Sequence, residues 1–164
     1  MIRKILIVLL IALVIIQFFH PKRNKAEGEQ ANYIGKVFTV PDDVKSILAK
    51  ACNDCHSNNT RYPWYCNFQP IDWWTNNHLK EGKREINFDE FSNKSPRYQY
   101  NKIGAVAEQI KKGEMPLNSY LWIHKDAVLT DAEKSKILAW TDAIKDSMKA
   151  KYPIDSLIRK RPQK

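Results

Sequence analysis

Cys52-Asn53-Asp54-Cys55-His56 brings two thiols and an imidazole together within five consecutive residues. A Cys-x-x-Cys-His segment is typical of covalent haem attachment, because thiols at this spacing match the two vinyl groups on one edge of a porphyrin. The histidine that follows then lies under the iron and supplies a neutral imidazole as the proximal ligand. We therefore predict one covalently bound haem c, attached through Cys52 and Cys55 and ligated by His56.

Other interpretations of the cysteines are less well supported. A redox-active dithiol needs the pair at the start of a helix that follows a strand, whereas a helical pattern precedes this pair. A structural zinc site needs four ligands, and Cys66 and His78 lack the tight paired spacing that would complete one. A disulfide between Cys52 and Cys55 would be small and strained. With both of those residues holding haem, Cys66 is expected to be a buried or free thiol.

The sixth iron ligand is predicted to be Met115, which lies in a Gly-Glu-Met-Pro segment. Because a residue before proline avoids helical geometry, Met115 is expected in a loop, from which its thioether could reach the iron. His78 and His124 are the alternative ligands, and a methionine that only fills a gap in the core is a further interpretation. Trp64 and Trp74 are candidate walls of the haem pocket.

The elements that position these residues are predicted to form an all-α domain with long loops over residues 41–148. Apolar residues at helical spacing predict a first helix that runs into the Cys-x-x-Cys-His segment: Val44, Ile47, Leu48 and Ala51. Further helices are predicted from Ile71 and over about residues 97–112. A capping box at Thr130 and Glu133 opens the last helix. The loops are long for a domain that packs only its own side chains, and this length indicates a bound group.

The N-terminal residues 1–22 have the layout of a secretory signal, because two basic residues precede an unbroken apolar run from Ile5 to Ile16. No small-residue cleavage site follows the run, which favours an uncleaved membrane anchor. The run is nevertheless shorter than the roughly 20 residues that span a bilayer. The prediction is an exported domain on the periplasmic side of the inner membrane, with a linker over residues 23–40 and a basic tail over 149–164.

The net charge of +9 belongs to the ends of the chain rather than to a basic domain surface. Five of the 27 Lys and Arg residues lie within residues 1–25 and six within residues 149–164. The part between them is close to neutral. A nucleic-acid-binding protein would carry a basic stripe on the domain itself, so no nucleic-acid partner is predicted.

Four blocks of the sequence resemble, in the same order, the haem-binding-domain family of exported bacterial proteins that is frequent in Bacteroidetes. The blocks are CNDCHSNNTRYPWY, QPIDWWTNNHLKEGKREINFDEF, GEMPLNSYLWIH and LTDAEKSKILAW. The resemblance covers about residues 40–146 and implies a cytochrome-c-like helical fold with one covalent haem c. It assigns attachment to Cys52 and Cys55 and proximal ligation to His56, whereas Met115 follows the wider cytochrome c pattern.

These features predict a membrane-tethered periplasmic mono-haem electron carrier, rather than an enzyme, with redox proteins as partners. The alternative is an open iron site that Met115 does not occupy. Such a site would suit a haem-based sensor, a ligand-binding module or a peroxidase-like module. A structural metal-binding protein without haem is a third possibility.

Overall fold

The computed structural model describes residues 1–158, and their regular secondary structure is entirely helical. The helices within this range are α1 (Ile2–Ile16), α2 (Asp42–Ala51), α3 (Asn53–His56), α4 (Ile71–Glu85), α5 (Pro96–Lys112), α6 (Asn118–Leu121), α7 (Asp131–Lys151) and α8 (Ile154–Leu157). Short 3₁₀ turns lie at Ile34–Lys36, Trp64–Asn67 and Lys125–Ala127. Across residues 1–158 only isolated β-bridges occur, without a strand. The prediction of an all-α fold is confirmed.

The core lies where α5 and α7 pack against each other and against α2. One apolar cluster joins residues of all three helices and includes Leu48, Ile103 and Trp140. A second cluster lies at the C-terminal end of α2 and includes Ala51 and Ile110. Burial of these side chains stabilises the helices more than their intrinsic propensities do.

Local signals in the sequence set the ends of the two longest core helices. The Ser95 hydroxyl accepts a hydrogen bond from the Tyr98 amide at the start of α5, and Gly113 ends that helix with a φ of 69°. The predicted capping box at the start of α7 is present, with Thr130 and Glu133 each bonded to the other's backbone amide.

The segment predicted as a linker, residues 23–40, is packed onto the domain. Ile34 is fully buried in the first apolar cluster. The Trp140 indole donates a hydrogen bond to the carbonyl oxygen of Thr39, at 3.0 Å. Helical periodicity gave no indication of this packing, because the segment has few apolar residues and its contacts are irregular.

The domain also extends beyond the predicted boundary at residue 148. Helix α7 continues to Lys151, and α8 follows it with Leu157 fully buried in the first apolar cluster. The prediction of a basic tail over residues 149–164 therefore differs from the structure up to residue 158. Residues 159–164 lie outside the described range.

Helix α1 is apolar and exposed along its length, with 15 residues. Within residues 1–158, none of the helices combines the length and the apolar character needed to cross a membrane. The prediction of an N-terminal membrane anchor is therefore not supported. At about 1.5 Å per residue, a helix of this length reaches about 22 Å, whereas a bilayer core is about 30 Å thick.

Candidate haem-attachment site

The Cys-x-x-Cys-His segment forms a tight turn between α2 and α4. Cys52 interrupts the helix, with φ of −127° and ψ of −44°, so that α3 begins on a new axis instead of continuing α2. The amides of Cys55 and His56 both donate to the carbonyl oxygen of Cys52, at 3.1 and 3.0 Å. The turn therefore holds the two thiols and the imidazole on one short piece of backbone.

The His56 ring is oriented by α4. Its Nδ1 lies 3.0 Å from the carbonyl oxygens of both Gly82 and Ile86, and only a protonated Nδ1 can donate to them. Nε2 of the neutral ring then carries the lone pair. Burial lowers the pKa of His56, which keeps the imidazole neutral at neutral pH. The arrangement presents one nitrogen to a metal and fixes the other by hydrogen bonds.

The two thiols of the segment are free, and both residues are half-buried. Neither Cys52 nor Cys55 forms a disulfide. Burial raises the pKa of Cys52 to about 12 and the pKa of Cys55 to about 11. Both sulfurs are thus protonated thiols at neutral pH, unlike the thiolates of a redox-active dithiol.

Gly82 allows α4 to approach the turn closely. A Cβ atom at this position would lie 2.9 Å from the carbonyl oxygen of Cys55 and 3.2 Å from its Cβ. The same residue supplies one of the two carbonyls that bind His56. Sequence reasoning missed Gly82, although a glycine inside a helical pattern is a signal for close packing.

Asp54, between the two cysteines, fastens the turn to the loops on either side. Its carboxylate accepts hydrogen bonds from the Arg61 guanidinium at 3.2 Å and from the Tyr120 hydroxyl at 2.7 Å. Its backbone carbonyl accepts from the Thr60 hydroxyl at 2.6 Å. Arg61 and Tyr120 therefore support the turn. These partners could not be predicted from the sequence, because they lie 7 and 66 residues from Asp54 and only tertiary packing brings them to it.

Met115 packs against the second apolar cluster, and Cys52 packs against the same cluster. The competing histidines have other partners. His124 Nε2 is hydrogen bonded to the Tyr65 hydroxyl at 2.7 Å, and its ring stacks on Tyr120 at 4.0 Å. His78 contacts Trp74 at the surface of α4, with the ring centroids 4.3 Å apart and the rings tilted by 44°, and its Nδ1 lies 3.1 Å from the Trp74 carbonyl oxygen. Met115 is therefore the candidate ligand that shares an apolar wall with the attachment segment.

Trp64 and Trp74, predicted as walls of the haem pocket, are exposed by 75% and 51%, and that role stays a prediction. Trp64 lies in a 3₁₀ turn and contacts Tyr65 and Phe68 edge-on. Trp74 lies on the outer face of α4. The inward positions of α4 belong to Asp72 and Leu79, which leaves Trp74 on the outside of the helix.

The structure does not support the alternative of a zinc site. Among residues 1–158, three or more His, Cys, Asp or Glu side chains do not converge in a way that could hold a metal ion. Cys66 is buried, and its thiol donates to the Thr75 hydroxyl at 3.7 Å. The predicted buried thiol at Cys66 thus agrees with the structure.

The fold and this turn define a class of protein: an all-α domain in which a Cys-x-x-Cys-His segment is held against a helix. The sequence model of the haem-binding domain family matches residues 11–143. The chain therefore belongs to the haem-binding domain family, and it is a haem-binding protein. Comparison with curated proteins gave no significant match, and neither did comparison with solved structures.

Proposed function

We propose that this protein holds one haem c covalently and carries single electrons in an exported compartment. The observation that carries the proposal is the geometry of His56. Its Nδ1 donates to two backbone carbonyls, which leaves the Nε2 lone pair for iron. Two free thiols lie on the same turn. A structural core histidine would need neither of these neighbours.

In the proposed attachment, the turn would supply the two thiols and haem its two vinyl groups. The thiol of Cys52 would add across one vinyl group, and the thiol of Cys55 would add across the other. Each addition forms one carbon–sulfur bond, breaks the S–H bond and the vinyl π bond, and moves the thiol hydrogen to the second vinyl carbon. No oxidant is consumed, and both cysteines end as thioethers.

The chain's own residues would then set the properties of the iron. Haem supplies a reversible one-electron iron couple when it is bound. The two carbonyl hydrogen bonds hold the His56 ring and increase its basicity. Met115 offers a soft thioether that favours the ferrous state and raises the reduction potential. The apolar cluster around Met115 limits access of water to that side.

The proposed location is the periplasmic side of the inner membrane, reached by export through the signal-like residues 1–22. Covalent attachment suits such a compartment, because a lost cofactor is not easily recaptured there. The proposed partners are redox proteins that deliver one electron and accept one electron. A carrier of this kind needs no substrate site of its own, so we do not propose an enzymatic activity.

Carbon monoxide binding distinguishes the carrier from an open-iron sensor or peroxidase-like module. We expect the ferrous wild-type protein to bind carbon monoxide poorly, because Met115 occupies the sixth position. Met115→Ala should bind it readily and lose the sulfur-to-iron band of the ferric spectrum. Its reduction potential should also fall.

Met148→Leu is the matched control for this experiment. Met148 is buried in the other apolar cluster, so its substitution should leave both spectrum and carbon monoxide binding unchanged. Ready binding of carbon monoxide by the wild-type protein, with no change in Met115→Ala, would instead establish an open iron site.

A further inference from the structure

A basic cleft of about 520 Å³ lies between residues 22–26 and one face of α4. Its charged lining consists of Lys22, Arg23, Lys25, Lys80 and Lys83, without a carboxylate. Asn24, Asn58 and Asn76 add polar groups. The concave shape and the single sign of charge favour a bound anion.

Most of this positive charge has no internal partner. Arg23 is engaged by the Asp72 carboxylate at 3.2 Å and by the Cys66 carbonyl oxygen at 2.7 Å. The four lysines form no ion pair with a carboxylate within residues 1–158. Lys83 donates to the neutral amide oxygen of Asn24, at 2.6 Å, which holds its ammonium group at the cleft.

Partial burial lowers the pKa of Lys83, and the negative charges of Asp89 and Glu90 oppose this effect without reversing it. The ammonium group of Lys83 is therefore held in a less solvated position, and the nearby negative charges compensate only part of the cost of its desolvation. An anion in the cleft would relieve this cost.

An exposed apolar surface adjoins the basic cleft. The Trp73 indole donates to the carbonyl oxygen of Phe19, at 2.8 Å, and both side chains remain exposed. Phe18 and the apolar residues of α1 continue this surface. Trp73, Asn76, Lys80 and Lys83 are spaced 3, 4 and 3 residues apart, so one face of α4 changes from aromatic to basic along its length.

We propose that this face binds the surface of a bilayer that contains anionic phospholipid. The headgroup phosphate lies in the cleft among Lys22, Lys25, Lys80 and Lys83. The Trp73 ring lies at the level of the headgroups, where amphipathic rings are favoured, and the apolar rings of Phe18 and Phe19 enter the boundary with the acyl chains. A free phosphate would leave that aromatic surface in water, so we assign the anion to a lipid. Such binding does not require a helix to cross the bilayer.

The test uses the full chain with two kinds of vesicle: phosphatidylcholine alone, and phosphatidylcholine with phosphatidylglycerol. Helix α1 contributes to both, so the measured quantity is the ratio of the two affinities in a flotation assay. We expect a strong preference for the anionic vesicles. The variant Lys80→Gln/Lys83→Gln should reduce that preference about 30-fold, at about 1 kcal/mol for each lysine near the surface.

The control variant Lys94→Gln/Lys111→Gln makes the same change in net charge at exposed lysines that do not line the cleft. It should retain the preference for anionic vesicles. Trp73→Ala should weaken binding to both kinds of vesicle, whereas Trp122→Ala, at an exposed tryptophan of the α6 region, should not. Circular dichroism checks that each variant is folded.

Three results would overturn the proposal. One is an equal loss of preference in the two lysine double variants. Another is binding of inorganic phosphate in the cleft without any preference for anionic vesicles. The third is a protein that does not bind vesicles but self-associates in a concentration-dependent way that Trp73→Ala abolishes. The surface would then join two copies of this chain.

Discussion

Replacing Cys52 and Cys55 together by alanine is expected to abolish retention of haem after denaturing extraction, when the protein is produced with haem-attachment machinery. In the proposed attachment these two sulfurs form the thioethers, so no covalent link would remain in the double variant. Each single variant should keep one thioether and therefore hold haem in reduced yield. Extracted haem and intact mass are the measurements.

Cys66→Ala is the matched control, because it also removes a buried thiol. Cys66 bonds to Thr75 and lies outside the turn, so this variant should retain haem at the wild-type level. Covalent haem in the Cys52→Ala/Cys55→Ala variant would contradict the assignment, and loss of haem in Cys66→Ala alone would transfer the role to that residue.

Gly82→Ala should lower the free energy of unfolding by about 1–3 kcal/mol, as overpacking of a tight contact does. The new methyl group would lie 2.9 Å from the Cys55 carbonyl oxygen, and backbone atoms must move to accept it. The movement also displaces the Gly82 carbonyl that binds His56. We therefore expect a shifted reduction potential in addition to lower stability in urea denaturation.

Gly104→Ala is the control for the effect of alanine in a helix. Gly104 also lies inside a helix. The atom nearest to a Cβ added there is Lys145 Nζ, at 4.0 Å, which is the end of a flexible side chain. This substitution should stabilise the protein by about 0.5–1 kcal/mol, because alanine loses less backbone freedom than glycine. Equal changes in the free energy of unfolding for Gly82→Ala and Gly104→Ala would disprove a tight contact at Gly82.

The regular part of the fold could be predicted from the sequence. Helices α4, α5 and α7 follow from apolar spacing and from cap residues that act within a few positions of the chain. The Cys-x-x-Cys-His segment was equally visible, since its chemistry lies in five consecutive residues. Such local signals need no knowledge of tertiary packing.

The rest of the site depends on contacts between distant residues. The carbonyls that orient His56 belong to residues 26 and 30 positions further along the chain. Any type of residue can supply a backbone carbonyl, so no sequence pattern indicated these two hydrogen-bond acceptors. The outward position of Trp74 on α4 could not be predicted for a related reason. A tryptophan satisfies the same periodicity on either face of a helix, and its neighbours decide which face is buried.

The Cys-x-x-Cys-His turn and the proposed lipid-binding face both involve α4, but they use different residues of it. Gly82 contacts the turn, whereas Trp73, Lys80 and Lys83 belong to the proposed lipid-binding face. The two can therefore be tested separately. Failure of vesicle binding leaves the haem site untouched, and loss of haem leaves the cleft and the aromatic surface in place.

Covalent attachment of haem is tested most directly by the intact mass of the wild-type chain. The chain is produced with haem-attachment machinery, purified and measured under denaturing conditions. We expect a mass that exceeds the polypeptide mass by one haem, with the added mass on the peptide that contains Cys52 and Cys55. A chain at its bare polypeptide mass, from cells that attach haem to a control cytochrome, would contradict it.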